Sequence, residues 1–166
     1  MISAEHTKII VEAELPGAQA WAGRHQLPFL WVPELLQVRV KLTQPETTEP
    51  FYLRGSFDDY RAIAPEWGFT DEWWTNIGDH RYHPPQVQTP HGPSIFIDYE
   101  NRAVICVPFN RLAYKEKGGP HQDWGGPANW LSVKPVNPPR IHAVTVGDML
   151  QAIYRDFVYS RGRMRK

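Results

Sequence analysis

Cys106 is the only cysteine in the sequence and the side chain best suited to covalent chemistry. It lies in the apolar run AVICV at positions 103–107, a setting typical of an inert thiol that fills a core. Pro108 and the Gly/Pro-rich residues beyond it would turn the chain away and leave the thiol at the accessible end of a strand. The sequence therefore supports two hypotheses for Cys106, a nucleophile or a buried structural thiol.

His121 and Asp123 are the residues that could assist such a nucleophile. They lie in a loop between two Gly-Gly-Pro turns, at positions 118–120 and 125–127. Thiol hydrolases use this combination, in which an imidazole is the base for the thiol and a carboxylate orients the imidazole. The alternative is a solvated loop histidine, because spacing along the chain does not show whether the three side chains meet.

Histidines elsewhere in the chain allow a metal site as a further alternative. His80, His83, His91 and His121 are zinc-ligand types, as is Cys106. Their spacing matches no standard zinc pattern, and a single cysteine excludes sites built on cysteine pairs. The sequence therefore favours no bound metal, and a metal site remains the alternative.

The composition argues against several classes of protein. Eighteen Lys and Arg residues balance eighteen Asp and Glu residues, which leaves no surplus charge for nucleic acid or a membrane surface. Charged residues within the first eight positions interrupt the apolar stretch that a signal peptide needs. No stretch reaches the roughly 18 apolar residues of a membrane span. We expect a soluble, cytoplasmic protein without nucleic-acid or membrane partners, folded as one domain over 1–166 with a basic tail at 159–166.

The first half of the chain predicts a helix and a β-hairpin. Ser3 can cap a helix that ends at Pro16-Gly17. The apolar side of this helix would consist of Ile2, Ile9, Ile10 and Ala13. Residues 36–42 alternate strictly between apolar and polar, as in a strand buried on one face. Residues 51–57 form a second extended run, so the two strands are expected to pair antiparallel.

The second half predicts a long irregular region before a final helix. Residues 58–92 lack a clear pattern, and their tryptophans Trp67, Trp73 and Trp74 could belong to the core or to an interface. Extended segments follow at 94–97 and 103–109, and residues 114–139 are loop-like. Thr145 caps a helix with one apolar stripe, predicted to pack on the sheet and formed by Val146, Met149, Leu150, Ile153 and Phe157. This order indicates an α+β protein.

Two groups of residues carry a resemblance to a known family. Tyr60, Pro65 and Phe69 match the spacing of a Tyr-Pro-x-x-Pro-Pro segment and the aromatic residue after it, with substitutions at Arg61 and Ala64. The tripeptide 96–98 lies where that family has His-Pro-Asn, ten to eight residues before an Ile-Cys-Leu that corresponds here to residues 105–107. A later tryptophan and a closing helix, at residues 130–132 and from 146 onward, are also similar. The pattern resembles the ubiquitin-conjugating enzymes.

The resemblance implies a fold and a reaction. The fold would be UBC-like, with an N-terminal helix, an antiparallel meander sheet, an irregular active-site segment and a C-terminal helix packed on the sheet. Cys106 would accept a ubiquitin-like protein from an activating enzyme as a thioester and transfer it to an amine of a target protein, without a cofactor. The divergence is similar to bacterial members encoded with an activating enzyme and a deconjugating protease, some of them in antiviral defence.

The resemblance also raises a question about the rest of the site. Asp98 replaces the family's asparagine, and an ionised carboxylate can only accept hydrogen bonds, so it cannot donate one to a developing oxyanion. Backbone amides or one of the asparagines at 101, 110 and 129 could substitute, and His121 or Asp123 could help deprotonate an incoming lysine. The alternative function is a catalytically inactive UBC-like module that binds ubiquitin-like proteins.

Overall fold

Four antiparallel strands form the central sheet, and the helices at the two ends of the chain pack on each other and share its core. The computed structural model describes residues 1–134 and 141–164. Helix α1 (Ala4–Arg24) is followed by a meander in the order β1 (Phe29–Val32), β2 (Gln37–Thr43), β3 (Pro50–Ser56) and β4 (Glu66–Thr70). The protein is α+β, with an N-terminal helix, a four-stranded antiparallel sheet and a C-terminal helix.

Two small strand pairs and the final helix complete the fold. Strands β5 (Gln88–Thr89) and β6 (Gly92–Pro93) pair with each other, as do β7 (Phe96–Tyr99) and β8 (Arg102–Ile105). Helix α2 (Val146–Phe157) follows. Arg165 and Lys166 of the predicted basic tail, and the end of the predicted loop at 135–139, lie outside the described residues. No helix in the described part of the chain is long and apolar enough to cross a membrane.

Helix α1 continues through Pro16, so the predicted break there is wrong. Ser3 caps the helix as expected, because its side chain accepts a hydrogen bond from the His6 amide. A proline inside a helix costs about 3 kcal/mol, but the turns beyond it bury an apolar surface against α2. In particular, Trp21 is buried and its Nε1 donates to Gln151 Oε1 at 2.8 Å. Tertiary packing therefore outweighs the local signal.

The buried side of α1 also differs from the predicted one. The buried residues recur every three or four positions and are Thr7, Val11, Leu15, Ala18, Trp21 and Ala22. Of the predicted stripe, Ile9 and Ala13 are exposed and Ile10 is only partly buried. Both stripes have helical spacing, and the stripe that contains the Trp21 indole is the one that packs into the core.

The central hairpin is confirmed and the flanking strands were not anticipated. Val38, Val40 and Leu42 of β2 are fully buried, and β2 pairs antiparallel with β3 over its whole length. Strands β1 and β4 are short and lack alternation, so the sequence pattern does not indicate a strand at either position. In β4, the Trp67 ring lies over Gly55 of β3 so closely that a Cβ there would be 2.8 Å from it.

The three tryptophans of the predicted irregular region have different environments. Trp67 is fully buried and its Nε1 lies 3.4 Å from Met149 Sδ, so it belongs to the core. Trp74 is half-buried with its ring edge against Tyr52. Trp73 is 74 % exposed. The sequence allows core or interface positions for this group, and its members divide between the core and the surface.

Helix α2 forms as predicted. Thr145 and Asp148 make a reciprocal capping box, and the five residues of the predicted stripe are all fully buried. Phe157 packs its ring edge against Phe51 at 5.1 Å and stacks over Phe69 at 6.0 Å between ring centroids. The apolar side of the helix therefore faces the sheet.

His83 is a fully buried histidine within this core, and it makes stability depend on pH. Its ring packs edge-on against Phe69 and Phe96, and its Nδ1 donates to the Pro84 carbonyl at 2.9 Å. Its Nε2 has no hydrogen-bond partner among the described residues, so protonation there would leave a buried, unpaired N–H. Burial accordingly lowers the pKa of His83 from its usual 6.5 to about 4.

We expect the free energy of unfolding to fall as the pH decreases from 6.5 to 4. In this window the unfolded chain binds a proton at His83 and the native protein does not, which costs about 3 kcal/mol in total. Urea unfolding at pH 7 and pH 4.5 measures the loss. The His83→Phe variant should show a smaller loss, whereas the exposed His91→Gln variant should behave as the wild type. Equal pH dependence in wild type and His83→Phe would contradict the expectation.

Candidate active site

Cys106 is the first residue after β8, at the end of the β7–β8 hairpin. Its amide donates to the Ile95 carbonyl at 2.7 Å, and the Ile95 amide in turn donates to the buried Asp156 Oδ2 of α2 at 2.8 Å. The hairpin end is therefore anchored to the core through backbone groups and the Asp156 carboxylate. The Cys106 residue is partly exposed, while Ile105 and Val107 on either side are buried.

Asn110 holds the chain in place just beyond the thiol. This fully buried side chain donates to the carbonyls of Ile105 and Trp67, and its oxygen accepts from the amides of Trp67 and Leu112. It thus ties the end of β8 to the start of β4. Because both amide hydrogens already have carbonyl acceptors, Asn110 is committed to the backbone rather than to an oxyanion.

The Asn110→Ala substitution is expected to lower the free energy of unfolding by about 3 kcal/mol. It leaves buried carbonyl and amide groups of Ile105, Trp67 and Leu112 without these partners, and unsatisfied buried groups cost about 1–3 kcal/mol each before relaxation. Chemical denaturation measures the change. The matched control is Asn101→Ala in the exposed β7–β8 turn, for which we expect about 0.5 kcal/mol or less. A similar small effect for both variants would contradict the role assigned to Asn110.

The loop that carries His121 closes on the segment next to Cys106. The His121 amide donates to the Ala113 carbonyl at 3.0 Å, and the Lys115 amide donates to the His121 carbonyl at 2.9 Å. Gly119 packs so tightly on the Ala113 carbonyl that any Cβ would collide with it. Glycine is therefore required for this closure, which fixes the backbone of His121 on both sides.

The closed loop places three side chains of the sequence prediction in contact. Cys106 Sγ lies 2.9 Å from His121 Nε2, and His121 Nδ1 lies 3.0 Å from Asp123 Oδ1. Because an ionised carboxylate only accepts, Nδ1 carries a proton and Nε2 is left to accept from the thiol. The His121 side chain is 25 % exposed and that of Asp123 is 73 % exposed. The imidazole therefore lies between a shielded thiol and a solvated carboxylate.

The electrostatics of the site keep the thiol protonated at rest. Burial, followed by the negative charge of Asp123, raises the pKa of Cys106 from 9 to about 12. The thiolate is therefore rare at neutral pH. A reaction at Cys106 needs a base that removes the proton as the sulfur attacks, and His121 Nε2 is in hydrogen-bond contact with Sγ for this purpose.

Asp98 lies apart from these three residues. In the β7–β8 register it faces Ala103, three residues before Cys106, a separation of roughly 10 Å along a strand. Its Oδ1 lies 3.1 Å from His80 Nδ1. The structure therefore brings Cys106, His121 and Asp123 together and pairs Asp98 with His80.

The residues considered as metal ligands do not come together at one place, although Cys106 and His121 are in contact. His83 is in the core, His80 contacts Asp98, and His121 is in contact with the thiol and Asp123. Within residues 1–134 and 141–164, no group of three or more His, Cys, Asp or Glu side chains is arranged to hold a metal ion.

Trp124 is the site residue that the sequence analysis did not assign. Its ring stacks on the His121 imidazole with centroids 3.5 Å apart and planes 4° from parallel. Tyr114 packs edge-on against Trp124, with the two ring centroids 5.4 Å apart. The signal was a large aromatic residue directly after His121 and Asp123 in a loop otherwise rich in glycine and proline.

The fold and site together define an α+β protein with a cysteine–histidine–aspartate contact at the end of a hairpin. Protein-family models, curated proteins and solved structures give no match to this chain.

Proposed function

We propose that this protein is a conjugating enzyme that carries a ubiquitin-like protein as a thioester on Cys106. The observation that carries the proposal is the 2.9 Å contact between Cys106 Sγ and His121 Nε2, with Asp123 behind the imidazole. A thiol with a base in contact is suited to acyl transfer, because the sulfur can attack a carbonyl and later leave from it.

The order of elements supports the same proposal. An N-terminal helix, a four-stranded meander, a cysteine after the sheet and a C-terminal helix are similar to the UBC-like fold that the sequence resemblance implies. Tyr60 and Phe69, two residues of that resemblance, are fully buried, and Phe69 lies in strand β4. The fold alone does not specify chemistry, so the proposal depends on the contacts of Cys106.

The proposed reaction consists of two balanced acyl transfers. In loading, Sγ attacks the C-terminal carbonyl of the modifier on its activating enzyme, Nε2 takes the thiol proton, and this proton passes to the activating enzyme's sulfur as that sulfur leaves. In discharge, an amine of the target attacks the thioester carbonyl, Nε2 takes the proton that the amine loses, and an amide forms. His121 gives that proton to the Cys106 sulfur as it leaves, while Asp123 stabilises the imidazolium that forms within each transfer.

A thiol hydrolase is the second candidate function, and the same two contacts among the three side chains favour it. With water as the acceptor, the cysteine, imidazole and carboxylate would cleave an acyl bond instead of transferring it. The two functions differ in the fate of the acyl group. A hydrolase releases a free acid, whereas a conjugating enzyme leaves the modifier on an amine.

The experiment that tests the proposal is isolation of the loaded protein. Tagged protein produced in its source cells is purified at acidic pH without reductant, beside Cys106→Ala. We expect an adduct of a small protein that is lost on thiol treatment, requires ATP to form in lysate, and is joined to Cys106 through its C-terminal carboxyl by mass spectrometry.

Two results would contradict the proposal. Equal adduct on the wild type and Cys106→Ala would place the attachment elsewhere. A lysate that charges its activating enzyme but leaves Cys106 unmodified, with Cys106 also unreactive toward iodoacetamide, would favour a binding module with an inert thiol.

A further inference from the structure

A closed series of contacts connects the chain just after Cys106 to the His121 imidazole. Tyr114 is fully buried and its hydroxyl donates to the Pro108 carbonyl, two residues after Cys106, at 2.7 Å. The Tyr114 ring packs edge-on against Trp124, and Trp124 lies flat on His121. His121 Nε2 then returns to the Cys106 sulfur. Each step is a direct contact, made between side chains except at the Pro108 backbone carbonyl.

The carboxylate by itself is a weak support for the imidazole. Asp123 is 73 % exposed, and pairs between solvated groups hold geometry poorly because water competes and the side chain keeps its rotamer freedom. A single hydrogen bond at Nδ1 also leaves the ring free to tilt about that bond. A flat indole at 3.5 Å removes this freedom, since the ring plane must remain parallel to it.

We propose that Trp124 is a positioning residue that fixes the plane of His121 and thereby directs Nε2 at the Cys106 thiol. Tyr114, held by its hydrogen bond to the Pro108 carbonyl, supports the indole through the contact between the two rings. This inference rests on the proposed role of His121 as the base, but not on the identity of the acyl group.

The test uses the purified protein and iodoacetamide, which reports the thiol–imidazole pair without any modifier. We compare the rate of Cys106 alkylation from pH 5 to 10 in wild type, Trp124→Phe and Trp124→Leu. The leucine variant should react about tenfold more slowly at neutral pH and should lose the pH-dependent step that the base produces. The phenylalanine variant keeps a flat ring and should recover most of the rate. Trp73→Leu, which removes an exposed indole elsewhere, is the matched control and should react as the wild type.

Tryptophan fluorescence gives a second readout, because it reports whether the indole and the imidazole are in contact in solution. A protonated imidazole in contact with an indole quenches its emission, so the difference in emission between wild type and Trp124→Phe should fall as His121 is protonated. The same titration should vanish in His121→Gln. Both Cys106 and Asp123 face His121 and titrate, so the measurement is repeated in Cys106→Ala and Asp123→Asn to assign the step to the imidazole.

The outcomes separate this inference from the proposed function. If Trp124→Leu keeps the wild-type rate and pH profile, the positioning role is overturned, whatever the protein carries in cells. If alkylation depends on Trp124 while no thioester forms with an active lysate, the positioning role stands and the conjugating function fails. Retained native circular dichroism in each variant shows that loss of folding does not account for a slower rate.

Discussion

Cys106→Ser is expected to replace the thiol-sensitive adduct with one that resists thiols. The serine hydroxyl occupies nearly the same position, with His121 Nε2 still available as a base, so a small amount of acyl group should be trapped as an ester. Loading should slow by about 10⁴-fold or more, the range found when the nucleophile of a triad is replaced. The ester is cleaved by alkali and survives thiol treatment, which distinguishes it from the wild-type thioester on a gel.

Cys106→Ala is the control for the serine variant and should give neither the thioester nor the ester adduct. The alanine change removes the nucleophile with little change of volume, and the residue is only partly buried, so the fold should persist. Intact-mass measurements on the three proteins, before and after thiol treatment, give the result. A thiol-sensitive adduct on the serine variant would show that sulfur at position 106 is not the acceptor.

His121→Gln is expected to lower the rate of Cys106 alkylation and of acyl loading by about 10²–10⁴-fold at pH 7, as for loss of a general base. Glutamine keeps a hydrogen-bonding side chain of similar length but cannot take the thiol proton. Because the pKa of Cys106 is raised to about 12, roughly one thiol in 10⁵ is ionised at pH 7 without help. The base therefore accounts for nearly all reactivity at neutral pH.

The pH profile makes this prediction specific. In His121→Gln only the ionised thiol remains reactive, so the alkylation rate should rise about tenfold per pH unit until the pH approaches 12. The wild type should already react at neutral pH and show a weaker dependence. The control is His91→Gln, which changes an exposed histidine of another loop. If His121→Gln and His91→Gln share the wild-type profile, His121 is not the base.

Asp123→Asn should have a smaller effect than the loss of His121. Asparagine can still contact Nδ1, but it carries no negative charge to stabilise the imidazolium. The carboxylate is largely solvated, and its effect is weakened by water, so we expect about a tenfold decrease in the alkylation rate at pH 7. A decrease as large as that of His121→Gln would show that Asp123 controls the protonation of the base more strongly than its exposure suggests.

Local patterns predict the elements whose signals lie within a few neighbouring residues. Helix α2 was predicted from a cap at Thr145 and an apolar stripe, because both signals repeat over one turn of helix. Strand β2 was predicted from alternation, since one of its faces is buried and the other is not. Strand β4 is buried on almost every residue, so it carries no alternation and was missed.

Tertiary contacts decide the cases in which two local patterns compete. Pro16 by itself is a signal that ends helices. The helix continues because Trp21 beyond it is buried in the core and donates a hydrogen bond to Gln151. For the same reason the buried side of α1 is set by what packs against it. A sequence pattern reports which faces a helix could bury, and the neighbouring elements select one of them.

By itself, the sequence determined which groups of the candidate site can do chemistry: one thiol at the end of an apolar run, and an imidazole and a carboxylate in a glycine-rich loop. Only the tertiary structure decided that they meet, because the 2.9 Å contact between Cys106 and His121 requires the loop to close on Ala113, as Gly119 allows. It also decided that Asp98 lies with His80 instead. The raised pKa of the thiol is likewise a tertiary property, since burial by residues distant in the chain produces it.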